Sequence, residues 1–326
     1  MNRSELISRI FVITGIILAI GAPLVFWTRT PLIHARMAEN GGWNPDVIEA
    51  EVGKPLQLKI TSDDVVHGFA VGQMDMQNVD VLPGKVTDVT LNFDKPGIYT
   101  FYCTRWCGLN HWRMRGTIEV SGSSSDPELV SPPIYVSLGL DLDAPHGAPV
   151  LPQQVPSAIR GQQLSIQFPI TTYQFLNYYR SSSPYQAFTD LSNTTLTESQ
   201  RWDVVAYTWQ SNTTTESLAN GKQLYAQNCA ACHGENGAGD GVFADDLATA
   251  GESSMQTMEG ATKMMMQSPV DFTDPRRMLG ANPALLQGKI LRGGMGTGMP
   301  MWGSIFTDEQ IWDLISYIYS FQFEYK

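Results

Sequence analysis

The chain has 326 residues, 43% of them hydrophobic, and a formal net charge of -11. That length and apolar content suffice for two or three domains with cores of their own, and the acidic balance excludes a nucleic-acid binder, which needs a basic face. Four cysteines are too few for a disulfide scaffold and fall into two close pairs, Cys103/Cys107 and Cys229/Cys232, each with a histidine just beyond.

In chain order, the first feature is an uncharged run from Ile10 to Trp27, bracketed by Arg9 and Arg29. Eighteen helical residues span about 27 Å, close to the roughly 30 Å of a bilayer core, so 10–27 is predicted as a membrane helix behind a short tail, 1–9. A cleaved signal peptide is the rival; its apolar region is usually shorter and ends at small residues, whereas this run ends in Leu-Val-Phe-Trp. Arg3 and Arg9 against Arg29 and Arg36 leave the orientation open.

Residues 45–121 read as β structure. Apolar and polar residues alternate in QLKITSDDVVHGFAV, VTDVTLNF and GIYTFYC, and Pro83-Gly84 and Pro96-Gly97 mark turns. A sandwich or barrel domain over 28–121 is expected. A Ser/Gly stretch after Ser121 marks a boundary, and Pro and Gly recur to Pro156. Helical periods return in ESLANGKQLYAQNC and FTDEQIWDLISYIYSF, so 216–326 is expected to be all-α, with Ile311, Leu314, Ile315 and Ile318 on one face.

Between these regions lies an internal echo. LTESQRWDVVAYTW at 196–209 matches FTDEQIWDLISYIY at 306–319: Thr, Gln, Trp, Asp and Tyr coincide at 197/307, 200/310, 202/312, 203/313 and 207/317, all at one offset of 110 residues. Two copies make a duplication, not a repeat array. The alternative is a surface helix of unrelated origin.

Two constellations carry chemistry. YCTRWCGLNHWRM supplies Cys103, Cys107, His111 and Met114, and the preceding β run carries His67. Thiolates, imidazoles and a thioether are a soft donor set suited to copper, and two bridging thiolates with one histidine per metal make a binuclear centre sharing one electron. A disulfide, or a zinc site with His67 and His111, are the bland readings; methionine is a poor zinc ligand. The second constellation is NCAACHG. Its C-x-x-C-H, formed by Cys229, Cys232 and His233, is the attachment signature of c-type haem, with a redox disulfide or half a zinc site as alternatives.

SDDVVHGF, VDVLPGK, KPGIYTFYC and CGLNHWRM, in that order over about 75 residues, resemble the CuA domain of cytochrome oxidase subunit II. The resemblance implies a Greek-key cupredoxin sandwich in which Cys103 and Cys107 bridge two coppers and His67 and His111 ligate one each. It also implies that Met114 is a weak ligand and that the carbonyl of Trp106, where the family usually has glutamate, completes the set. Many members have two membrane helices; one is expected here, as in single-helix B-type oxidases.

GGMGTGMPMWGSIFTDEQIWDLISYI resembles the C-terminal half of class I cytochromes c, whose axial methionine precedes a proline; this points to Met299 over Met295 and Met301 as partner to His233 on the iron. ITTYQFLNYYRSSSPYQAF resembles the same approach, but Ser183 stands before the proline and no C-x-x-C-H precedes it. Residues 122–215 are therefore expected to be a linker with a degenerate, haem-less cytochrome-like segment. His34 and His146 are expected to be solvated.

Together these features imply a multidomain electron-transfer chain resembling subunit II of a haem-copper oxidase fused to cytochrome c. It would be an oxidoreductase component that does no bond-breaking of its own. Electrons from a soluble or membrane-bound donor would pass through one covalent haem c to the CuA pair and on to a haem-bearing catalytic subunit I that reduces oxygen to water. Cofactor chemistry then puts both redox domains outside the plasma membrane of a prokaryote, with the N-terminus cytoplasmic. A CuA-containing nitric oxide reductase and a free membrane-tethered carrier are the competing readings.

Overall fold

The computed structural model describes residues 11–14, 32–74, 76, 78–105, 107–108, 111–124, 129–166, 175–245, 269–294 and 299–325. The expected membrane span 10–27 lies outside them except for 11–14, which are helical; among the described residues no helix is long and apolar enough to cross a membrane.

Among the described residues nine strands form: β1 Leu32–Ala35, β2 Trp43–Asn44, β3 Val47–Glu51, β4 Leu56–Ser62, β5 His67–Val71, β6 Val79–Val81, β7 Val86–Leu91, β8 Gly97–Tyr102 and β9 Arg115–Ser121. They form two sheets, ordered β2-β1-β4-β7 and β3-β9-β8-β5-β6. The pairs β1–β4 and β3–β9 are parallel, the rest antiparallel. In β7 the alternation sends Val89 and Leu91 inward while Asp88 faces Lys59 of β4, 2.8 Å from its Nζ. Between the sheets Trp43 meets Phe69 and Phe101 edge-on at 5.8 and 5.6 Å. Such offset aromatic pairs add about 0.5–1.5 kcal/mol each beyond their buried area.

The second half is helical: α1 Ile134–Ser137, α2 Ala158–Ser165, α3 Leu176–Ser181, α4 Pro184–Asp190, α5 Glu198–Ser211, α6 Thr215–Asn228, α7 Ala230–His233, α8 Pro275–Met278, α9 Pro283–Arg292 and α10 Asp308–Tyr319. Helix α2 packs on α5 and α6 packs on α10. Both crossings turn on a glycine. A Cβ at Gly161 would fall 1.9 Å from the Asp203 carbonyl oxygen, and one at Gly221 would fall 2.1 Å from that of Asp313, with Tyr207 and Tyr317 Cβ each 2.9 Å away. Only a residue without a side chain lets the helices approach so closely.

Helices α5 and α10 also start alike. Thr197 and Thr307 each accept from the backbone N–H three residues on, while Gln200 and Gln310 reach back to the threonine N–H. These reciprocal caps satisfy orphan donors of the first turn. The two pairs meet through Trp209, 5.9 Å from Tyr319. The Ser183-Pro184 step differs from its counterpart at Met299-Pro300: Ser183 caps α4 by accepting from Gln186 N–H.

From Val130 onward the chain joining the halves is packed. Val130 exchanges backbone bonds with Ile98 and Pro96, and Tyr135 of α1 and Leu142 are each 1% exposed within the helical core.

Candidate functional site

Strand β5 begins at His67, β8 ends just before Cys103, and β9 starts just after Met114, so the sandwich delivers both ends of the Cys103–Met114 loop and a neighbouring imidazole to one place. His111 opens a 3-10 turn over His111–Arg113 in that loop. The structure brings five predicted ligands together. Cys107 Sγ lies 3.1 Å from His111 Nδ1 and 3.1 Å from Met114 Sδ, and Cys103 Sγ lies 3.7 Å from His67 Nδ1. His67, Cys103 and Cys107 present ligand atoms within 4.8 Å of one another. His67, Cys103, His111 and Met114 are inaccessible to solvent, Cys107 nearly so, and neither thiol is in a disulfide. The sixth expected contributor, Trp106, lies outside the described residues.

Electrostatics fit the same purpose. Burial pushes the Cys103 thiol up, but hydrogen bonds from Cys107 and His111 outweigh it and hold the group far below the ordinary thiol range. The Cys107 thiol is driven the other way, first by its hydrogen bond to Cys103 and then by burial. The two thiols are thus driven in opposite directions, and a metal bound between them would displace any proton they keep. His67 Nε2 is 2.7 Å from Asp64 Oδ1, leaving Nδ1 turned to the sulfur. Asp64 also accepts from Met37 and Val65 N–H. Its carboxyl resists burial and stays below its usual range through these bonds, that from His67 foremost. Such an orienting carboxylate behind a ligand histidine is what metal sites use.

The second site sits at the joint between α6 and α7. Cys229 ends α6, and the single turn α7 places Cys232 and His233 one turn on, with His233 N–H bonded to the Cys229 carbonyl at 2.9 Å. His233 Nδ1 is 3.0 Å from the Val270 carbonyl and the ring stacks on Phe272 at 4.5 Å. A carbonyl only accepts, so Nδ1 carries the proton and Nε2 is left with its lone pair. Burial holds His233 below the usual histidine range, which keeps that lone pair free. Met299 packs against the helical core, its carbonyl accepting from Gly294 N–H at 3.1 Å. Met301 precedes the turn Trp302–Ser304, and Met295 lies outside the described residues.

Both donor sets fit their expected groups. Buried sulfur and imidazole without a carboxylate ligand suit copper, and two half-exposed thiols one turn apart beside a neutral imidazole suit covalent haem.

Comparison with known proteins follows the same division. Residues 44–121 match the family of cytochrome c oxidase subunit II, periplasmic domain, and residues 218–322 match that of cytochrome c. The chain joins an oxidase subunit II domain to a cytochrome c domain. Two curated cytochrome c oxidase subunit 2 proteins of Thermus thermophilus are each 47% identical to it over 79 residues, 24% of this chain. The chain spans 58% and 46% of those relatives. Among solved structures, a haem-copper terminal oxidase dimer aligns at 23% identity over 36% of this chain and 100% of its own, with a TM-score of 0.25. The periplasmic domain of cytochrome oxidase subunit II from Bradyrhizobium japonicum aligns at 26% identity over 23% of this chain and 54% of its own, with a TM-score of 0.22.

Two residues of the subunit II and cytochrome c domains escaped the sequence reading. Asp64 stands three positions before His67 in SDDVVHGF, a spacing that could have flagged it. Arg292 gave no such sign; it lies 180 residues beyond the ligand loop it touches.

Proposed function

We propose that the chain is the electron-entry subunit of a haem-copper terminal oxidase, receiving electrons at a haem c and delivering them through a binuclear copper centre to a catalytic subunit I that reduces oxygen to water. The observation that carries this reading is the buried cluster of Cys103, Cys107, His67, His111 and Met114 in the same chain as a C-x-x-C-H turn. When bound, the two groups supply one-electron redox chemistry, with no bond to substrate made or broken.

The residues divide the work. Cys103, Cys107, His67, His111 and Met114, with the Trp106 carbonyl, would hold the coppers, the thiols and imidazoles as the strong donors and Met114 as a weak one. Asp64 fixes the His67 ring, and the rigid β5 and β8 ends keep the donors in place as charge changes. Cys229 and Cys232 would carry the haem and His233 and Met299 would hold its iron, with the His233 imidazole oriented by the Val270 carbonyl. Residues 10–27 anchor the chain in a prokaryotic plasma membrane with the N-terminus inside, residues 28–121 form the copper domain and 216–326 the haem domain.

Within 122–215, α2 and α5 make a haem-less copy of the α6–α10 pair. The matched glycine crossings and capping boxes support this, and the capping role of Ser183 explains why the copy offers no sulfur to an iron.

Detergent extraction from the native membrane tests the proposal. The chain should migrate with a many-helix, haem-bearing subunit, and the complex should consume oxygen when supplied with a reduced donor. Isolation as a lone carrier, or turnover of nitric oxide in place of oxygen, would sink it.

A further inference from the structure

The guanidinium of Arg292 is buried to 1% exposure at the last position of α9, in the cytochrome c domain, yet its partners belong to the copper domain. One terminal nitrogen donates to the Trp112 carbonyl at 3.1 Å, the other to the Cys103 carbonyl at 3.0 Å, and the latter lies 3.4 Å from His111 Nε2. The plane sits 5.2 Å over the Tyr102 ring. Among the described residues no carboxylate lies within ion-pair distance of it. A cation so deeply buried is expensive unless something holds it, and the rigid flat fork of arginine holds two carbonyls at once in a fixed geometry.

The two carbonyls mark the two ends of the ligand loop. Cys103 begins it and Trp112 closes its last turn, just before Met114. Trp112 itself packs into the helical core. On the other side, Arg292 adjoins the corner that holds the proposed iron ligand. Gly293 has φ 64°, and Gly294 N–H donates to the Met299 carbonyl. A side chain at Gly293 would meet the Pro300 carbonyl oxygen at 2.3 Å, so this turn admits only glycine.

We infer that Arg292 is a positioning residue that clasps the two ends of the copper-ligand loop from the cytochrome c domain, setting the copper environment and fixing the loop against the corner that bears Met299. The inference rests on the proposed copper and haem sites. In the transfer it would serve, one electron would pass from reduced haem to the oxidised copper pair, with no bond made or broken. A fixed positive charge beside the pair favours the reduced state, which carries less positive charge.

The test uses the full chain loaded with haem and copper, as wild type, Arg292→Lys and Arg292→Gln. Three quantities are read: the copper electron-spin spectrum, the copper potential, and the haem-to-copper rate after flash reduction of the haem. In Arg292→Gln the copper spectrum should change, the potential should fall, and the rate should drop about tenfold or more, with the haem spectrum intact. Arg292→Lys keeps the charge without the fork, so its potential should fall less while its spectrum still changes. A variant that keeps its haem but takes up no copper also supports the clasp.

Variants that match wild type in all three quantities and lose only thermal stability would reduce Arg292 to a packing residue. A denaturant titration of the wild type decides the matter without any variant: the copper signal and the sulfur-to-iron band of the haem should be lost at one midpoint, and two separate midpoints would overturn the clasp. A wild type that binds no copper overturns the site itself, a different result from copper-loaded variants that behave normally.

Discussion

Trp106 separates backbone from side-chain ligation. If its carbonyl is the donor, Trp106→Phe retains the copper spectrum, whereas Cys107→Ser and His67→Ala abolish the mixed-valence signal, because each removes a strong donor from a buried set. Loss of copper from Trp106→Phe to the same extent as from Cys107→Ser would disprove the assignment. Met299 is tested similarly: Met299→Ala should remove the sulfur-to-iron band and lower the haem potential, while Met301→Ala leaves both. His146, expected to be solvated, is instead half-buried with Nδ1 3.1 Å from the Ala144 carbonyl. Burial, aided by the charges of Lys289 and Arg277, keeps it below the usual histidine range despite that bond. The unfolded chain therefore takes up a proton that the fold refuses. Stability contributed here is complete above about pH 6.5 and declines as the pH falls below it, so His146→Gln should flatten the stability profile on the acid side of about pH 6.5 in thermal melts.

At the scale of elements, the helix crossings and caps set the helical half. Alanine at Gly221 must push α6 off the Asp313 carbonyl, costing about 3 kcal/mol or more and lowering haem incorporation; Gly161→Ala should destabilise comparably yet leave the haem spectrum unchanged. Thr307→Ala and Thr197→Ala each lose a capping bond and about 1 kcal/mol in denaturant unfolding. Much of this was legible in the sequence. Thr, Gln, Trp, Asp and Tyr recur at one offset because each has the same local duty in α5 and α10, as cap, packing ring or crossing residue. The strands were readable from alternation, and the ligand loop from donor types at short spacing. Gly161 and Gly221 were not read, since a glycine's purpose lies in the helix facing it, and neither was Arg292, which reads locally as a basic residue at a helix C-terminus.

For the whole molecule, the proposed copper and haem sites predict a simple stoichiometry. The fragment from residue 30 onward should hold two coppers and one haem that acid acetone does not extract; zinc in place of copper would refute the copper assignment. The join between the halves has a kinetic consequence. Val130 is bonded to the β8 end of the sandwich, and Tyr135, four residues after Ser131, is already sealed against α9, where a Cβ at Gly288 would lie 2.7 Å from its ring. No slack chain separates the two domains, so a haem held as proposed has no arc to swing through before it meets the copper. Adding glycerol should therefore slow the arrival of an external reductant in proportion to solvent viscosity, while the internal hop, observed after a light pulse, keeps its speed.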